Sequence, residues 1–312
     1  MKKVLTMTLN PCIDRTIYFD KFQVGGTNIV KRIIEEAAGK GINVAVGLQH
    51  LQIPVKAMGF AYKEDLTKLY GKLEAENIPY RFVEVEGRLR VNQKLFDESK
   101  AEMTECNEKG CAVDRKDIEV LLAMLQEELQ ETSVLVLSGS VPPGVDKDIY
   151  ARMISIAKKM GVKVILDASG ELLKEGVKAG PYLIKPNKEE FEKTFLEGEE
   201  SKNRDTCNVE QIATDIIKLG VNYICLSQGG DGAMLMHLPW EENGESSDEL
   251  IIEKRSAISV PIRSLQGAGD AMVAGLCKAI YKGEEDRMLE YAMTMAASTI
   301  MLEGTAMGDG GI

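Results

Sequence analysis

Val134-Leu135-Val136-Leu137 is an apolar run with no polar break, and Ser138-Gly139-Ser140 follows it directly. A strand with one wet face would alternate, so an unbroken run marks a strand buried on both faces. Upstream, Ile118, Leu121, Leu122, Leu125 and Leu129 share one helical face. Downstream, Ile149 through Ala157 shows helical spacing, and Val162-Lys163-Val164-Ile165-Leu166 is the next apolar run. Ile212 through Leu219 and Tyr223-Ile224-Cys225-Leu226 repeat the pair. Alternation of this kind predicts an α/β fold, a doubly wound, mostly parallel sheet with helices on both faces.

Two regions break the alternation. Residues 12–36 and about 80–107 mix polar and apolar residues at strand spacing, as in Arg88-Leu89-Arg90-Val91-Asn92-Gln93-Lys94-Leu95-Phe96. They read as one-sided antiparallel strands of a small sheet covering the main one. Such a lid would serve a reaction that excludes water. An exposed edge extension or a homodimer surface would give the same pattern. Glu197 through Asp205 and Glu241 through Glu249 read as solvated loops, so one domain is expected over residues 1–312.

Composition narrows the function. The 312 residues are 44% hydrophobic and 28% charged, ordinary for a globular protein. No apolar run approaches the roughly 20 residues that span a bilayer. The start, Met1-Lys2-Lys3-Val4-Leu5-Thr6, turns polar by Asn10 and reads as a first buried strand rather than a signal peptide. A cytoplasmic location is expected. The net charge of −11 argues against generic binding to nucleic acid or an acidic membrane, yet leaves room for a small anion held by local cations. Cysteines 12, 106, 111, 207, 225 and 277 are scattered and read as free thiols.

Several familiar site patterns are missing. No Walker A loop is present, because Gly39-Lys40 is followed by Gly41. No G-x-G-x-x-G follows a strand, and Ser138-Gly139-Ser140 lacks the glycines of a hydrolase elbow. What recurs is a series of glycine- and amide-rich turns: Asn10 to Asp14, Ala38 to Asn43, Ser138 to Gly144, Lys185 to Glu190, and Gln266-Gly267-Ala268-Gly269-Asp270. In open α/β sheets, ligands bind beyond the carboxyl ends of the strands, so these turns would share one crevice. The last of them opens a helix carrying Met272, Val273, Leu276, Ala279 and Ile280. A helix N-terminus offers free N–H donors to an anion, and a carboxylate beside it can take a proton from an attacking hydroxyl. Phosphoryl transfer to an alcohol needs that pairing.

In order and spacing, Thr8-Leu9-Asn10-Pro11 with Asp14, Gly39-Lys40-Gly41-Ile42-Asn43, Ser138-Gly139-Ser140-Val141-Pro142, Asp167-Ala168-Ser169-Gly170, Lys185-Pro186-Asn187 and Gly267-Ala268-Gly269-Asp270 resemble the ribokinase-like (phosphofructokinase B) sugar kinases. The likeness covers nearly the whole chain and points to the branch of 1-phosphofructokinase and tagatose-6-phosphate kinase. It implies a ribokinase-like sheet with a β-strand lid and an ATP-dependent kinase. By this resemblance Asp270 is the base, and the amides of Gly267, Ala268 and Gly269 hold the transferring phosphoryl group. Asp14, Gly39 and Asn43 would hold sugar hydroxyls, with Ser138 also on the substrate side. Lys185, Asn187, Ser227, Gly229 and Gly232 would meet the nucleotide, with Ser264 and Ser298 near its pocket. Glu190 would act on Mg²⁺ through water, and a monovalent-cation requirement stays open.

The chain departs from that branch at two places. Ala38-Gly39 stands where two glycines are usual, and Ile29 follows Asn28 where an arginine is common. Lys40, Arg90 and Arg88 remain to meet a substrate phosphate, Arg with two hydrogen bonds. Fructose 1-phosphate is the expected substrate. The alternatives are tagatose 6-phosphate, an unphosphorylated sugar or nucleoside, and a silent sugar-phosphate sensor. Asp270 speaks against the sensor, because binding alone requires no base. The chain ends soon after Glu303-Gly304-Thr305, so the usual last helix is expected to be short or absent.

Overall fold

The structure is a computed structural model that describes residues 2–196, 209–239 and 249–312. The loops expected at Glu197–Asp205 and over most of Glu241–Glu249 lie outside the described residues. Thirteen strands are described: β1 (Lys3–Thr8), β2 (Cys12–Phe19), β3 (Arg32–Ala38), β4 (Val55–Tyr62), β5 (Tyr80–Val85), β6 (Arg90–Asp97), β7 (Glu102–Asn107), β8 (Thr132–Ser138), β9 (Lys163–Asp167), β10 (Leu183–Ile184), β11 (Tyr223–Ser227), β12 (Ala233–His237) and β13 (Ile251–Arg255). The helices are α1 (Lys40–His50), α2 (Leu66–Ala75), α3 (Arg115–Glu128), α4 (Ile149–Lys159), α5 (Gly170–Lys178), α6 (Lys188–Phe195), α7 (Val209–Lys218), α8 (Ala268–Lys282) and α9 (Met288–Ile300).

The central sheet runs β13-β12-β11-β10-β9-β8-β1-β4-β5. Every pair from β5 across to β11 is parallel, and the pairs β11–β12 and β12–β13 are antiparallel, so β12 alone is reversed in the described sheet. Its interior strands are buried as their unbroken apolar runs require, with Leu135, Val136 and Leu137 fully covered. Each such side chain contributes about 1.5–3 kcal/mol by leaving water. The helical faces read from spacing are also buried: Ile118, Leu121, Leu122 and Leu125 in α3, and Ile149, Met153, Ile154 and Ala157 in α4. No described helix is long and apolar enough to cross a membrane.

From β1 the chain first builds β4 and β5 on one side, then returns to place β8 through β11 on the other. That reversal between β1 and β8 is a topological switch point, where loops at the strand ends part and leave a crevice. Thr8 and Ser138, the last residues of those two strands, stand at its floor.

A second sheet, β3-β2-β6-β7, forms the lid. Two details differ from the sequence expectation. Tyr80–Val85 is no lid strand; β5 is the parallel edge of the central sheet, paired with β4. Its mixed pattern comes from being half-exposed at an edge. The lid is also not wholly antiparallel, because β2 and β6 pair in parallel with Asp14 opposite Asn92 and Thr16 opposite Lys94. Beyond α9, residues 301–312 carry no helix.

Candidate active site

Glycine places the first parts. Gly41, in the first turn of α1, lies so close to β1 that a Cβ there would stand 2.4 Å from the Met7 carbonyl oxygen. This lets the start of α1 rest on the end of β1 and brings Lys40 and Asn43 to the crevice. Gly267 holds φ 74°, a left-handed turn that opens α8 with no side-chain cap. The first amides of α8 are therefore left for a ligand, at the positive end of the helix dipole.

Asp270 sits in the first turn of α8 and is buried. Asn43 Nδ2 donates to its Oδ2 at 2.8 Å. Burial pushes the Asp270 carboxyl up to about 6; Lys40 opposes this, and the nearby Asp167 charge adds to it. A carboxylate poised near neutrality is suited to accept a proton. Asn43, expected at the sugar hydroxyls, thus first orients the Asp270 carboxyl.

Asp167 ends β9 and is almost completely buried, at 1% exposure. Its Oδ2 accepts from Lys40 Nζ at 3.1 Å and from Ser138 Oγ at 2.9 Å, while Lys185 Nζ stands 3.2 Å from Oδ1. Burial alone would raise its pKa; the Lys185 and Lys40 ammonium groups outweigh it and bring the carboxyl to about 2. In turn Asp167 draws the Lys40 pKa upward against desolvation, helped by Asp270 and Glu190. Lys185 Nζ also lies 3.7 Å from where a Cβ on Gly269 would stand. One buried acid thereby aims two cations at the opening of α8. The sequence reading matched Asp167 to the family without giving it this task. Ser138, expected on the substrate side, gives its hydroxyl to Asp167 and opens the turn that lines the neighbouring cavity.

A cavity of about 180 Å³ is lined by Thr8, Asn10, Lys40, Arg90, the Ser138–Ser140 turn and Glu190, with Asp167 at its base. Arg90 gives its guanidinium only to neutral oxygens: Asn10 O at 3.1 Å, Glu108 O at 3.3 Å and Asn92 Oδ1 at 3.4 Å. Arg88 instead pairs with Glu108 at 2.9 Å on an exposed edge. Among the expected cations, Arg90 is the one that brings uncompensated charge to the cavity.

On the lid, Asp14 Oδ2 meets Lys94 Nζ at 2.8 Å, and Asp14 Oδ1 accepts from Asn92 at 3.0 Å. Lys94 is buried, and nothing in the local sequence sets it apart from its neighbours in the strand. On the other flank, Asn187 caps α6 in a capping box with Glu190: Glu190 N donates to Asn187 Oδ1 at 2.7 Å, and Asn187 N to Glu190 Oε2 at 2.9 Å. Ser227 bridges Asn187, with Ser227 N donating to the Pro186 carbonyl. Gly229 and Gly232 close the following turn through Gly232 N to Gly229 O.

Two residues are placed differently from the rest. Ser264 Oγ donates to Gly304 O at 3.0 Å and accepts from Gln266 N, so it braces the turn before Gly267. Ser298 is buried, with its hydroxyl between Met295 O and Gly310 N. It lines a cavity with His50 and Met307 rather than with the Ser227–Gly232 turn.

This arrangement has close relatives. Residues 7–308 match the family described as pfkB family carbohydrate kinase. The 1-phosphofructokinase of Vibrio cholerae is 32% identical over 309 residues, covering 99% of this chain and 92% of that protein. The 1-phosphofructokinase of Escherichia coli K12 is 31% identical, covering 99% and 94%. The crystal structure of phosphofructokinase-2 from Escherichia coli in complex with potassium superposes with a TM-score of 0.83 at 26% identity, covering 99% of this chain and 97% of that one. A buried carboxylate at the mouth of an uncapped helix is thus set in a frame shared along nearly the full length of these kinases, and the chain belongs to the pfkB family of carbohydrate kinases.

Proposed function

We propose that this chain transfers the γ-phosphoryl group of ATP to a hydroxymethyl group of a ketohexose phosphate, fructose 1-phosphate, giving fructose 1,6-bisphosphate. The observation that carries the phosphorylated substrate is Arg90, a guanidinium without a carboxylate partner among the described residues, lining the same cavity as Lys40. A neutral sugar would leave that charge unused, whereas a phosphate accepts two of its N–H groups at once. The relatives named 1-phosphofructokinase support the same choice.

In this reading each step has a residue to perform it. Asp270 removes the proton from the acceptor hydroxyl as its oxygen bonds to the γ-phosphorus, and the bond from that phosphorus to the β,γ-bridging oxygen breaks. Amides of Gly267, Ala268 and Gly269 take the charge on the transferring oxygens. Lys185, held beside Gly269 by Asp167, adds a fixed cation there. Asp14 keeps lone pairs for sugar hydroxyls, and the turns at Asn187 and Ser227 to Gly232 form the nucleotide side.

Glu190 fits a Mg²⁺ bound through water. One of its oxygens serves the capping box, the other remains available, and the side chain faces the cavity. Mg²⁺ keeps most of its waters and favours one carboxylate plus phosphate oxygens. When bound, the metal neutralises charge on the ATP phosphates. ADP release is expected to require the sugar phosphate and to stop with EDTA. Glu190→Gln should raise the Mg²⁺ concentration at half-maximal rate; an unchanged Mg²⁺ titration would remove Glu190 from that role. The potassium complex of the structural relative supports a monovalent cation as a second requirement.

A second copy of the chain is the partner that suits the lid. Val24, Ile29 and Ile33 are exposed there at 88%, 87% and 53%, a concentration of apolar surface that favours association through the lid.

A further inference from the structure

We propose that Lys94 and Gln266 form a latch that holds the lid over the catalytic turn before substrate arrives, making Lys94 a positioning residue. This rests on the kinase reading above and deepens it. Lys94 lies in the middle of β6, 7% exposed. Its ammonium reaches out of the lid to two partners, Asp14 Oδ2 at 2.8 Å and Gln266 Oε1 at 2.9 Å. Gln266 belongs to the other body: it is the residue directly before Gly267, and its backbone N–H is fixed by Ser264 Oγ at 3.2 Å. Its Nε2 touches Met103 Sδ on β7 at 3.1 Å. Two lid strands therefore grip one side chain rooted at the entrance to α8.

The latch does more than close a gap. A buried ammonium is costly without partners, and here it is satisfied by one acid of the lid and one neutral amide of the turn. Opening the lid breaks the bond to Gln266 while Lys94 stays with Asp14, so the charge pair survives; the Gln266–Met103 contact and the Thr305 Oγ1 bond to Glu36 on β3 are other links that part with it. Gln266 also lines a cavity of about 720 Å³ with Tyr18, Phe96 and Leu265, which gives its side chain room to swing aside. Such a contact is strong enough to bias the lid and weak enough to release product. With it in place Asp14 stands oriented toward the acceptor sugar, so binding need not supply the energy of closure.

Gln266→Leu removes the latch without stranding a charge. In the free protein, amide hydrogen exchange in Arg90–Asp97 and Glu102–Asn107 should rise by about tenfold, the loss of one charge-assisted hydrogen bond. KM for fructose 1-phosphate should rise by a similar factor while kcat and the KM for ATP hold. Lys94→Met also strands Asp14 and is checked for folding by circular dichroism; its sugar KM should rise further. Lid exchange in Gln266→Leu equal to that of the parent protein would overturn the latch. So would a fall in kcat with an unchanged sugar KM. Because the exchange arm uses no substrate, it reads the latch even if fructose 1-phosphate proves to be the wrong sugar.

Discussion

Asp270→Asn is expected to lower turnover by about 10²-fold or more, the usual scale of general-base catalysis, and to make the folded protein more stable at the same time. The two effects share one cause. Burial and the Asp167 charge raise the Asp270 pKa from its ordinary 3.8 to about 6. A group whose folded pKa is raised contributes stability fully below its unfolded pKa and loses it as pH rises through the folded one. Above about pH 6 the folded protein therefore carries a buried carboxylate that destabilises it. An amide keeps the size and the acceptor for Asn43 but has no charge to desolvate. The gain should be about 1–3 kcal/mol between pH 7 and 8, and should vanish near pH 4. The parent enzyme should show kcat/KM falling tenfold per pH unit below about 6. A variant with normal turnover, or with lower thermal stability at pH 8, would contradict this account of Asp270.

Arg90→Met is expected to raise KM for the sugar phosphate by about ten- to a hundredfold, the loss of about 1.5–3 kcal/mol from a charged hydrogen bond. The KM for ATP should stay near its original value, because Arg90 is rooted on β6 of the lid, whereas Asn187 follows β10 and Ser227 ends β11 of the central sheet. Lys40→Met should also weaken the sugar phosphate, but it strips a partner from the buried Asp167, so kcat should fall with it. Arg88→Met should do little, since its guanidinium is engaged with Glu108 at the surface. Loss of ATP affinity with normal sugar binding in Arg90→Met would turn the assignment toward an unphosphorylated substrate.

Much of the fold is legible in the sequence because doubly buried strands leave no choice of residue. Val134–Leu137 and Tyr223–Leu226 could hardly be anything else, and the helices between them show one apolar face. β5 is hard to place for the opposite reason: an edge strand is half wet, and its pattern matches that of a lid. Periodicity also carries no direction, so the parallel pairing of β2 with β6 could not be read from it. At the site, Asp270 stands out because a helix start and a glycine turn announce it locally. Asp167 and Lys94 do not. Each acts through partners far away in the chain, Lys40 and Lys185 for one, Gln266 for the other. Which arginine stays free is likewise a matter of where Glu108 folds, and the sequence Arg88-Leu89-Arg90 alone treats both alike.

The most direct measurement is initial-rate ADP release with Mg²⁺ and ATP across fructose 1-phosphate, fructose 6-phosphate, tagatose 6-phosphate, fructose and a nucleoside, with the product of each identified. Fructose 1-phosphate should give the highest kcat/KM and yield fructose 1,6-bisphosphate, and the unphosphorylated compounds should fall behind by at least the roughly ten- to a hundredfold assigned to Arg90. A higher kcat/KM for fructose or the nucleoside than for any sugar phosphate would contradict the account.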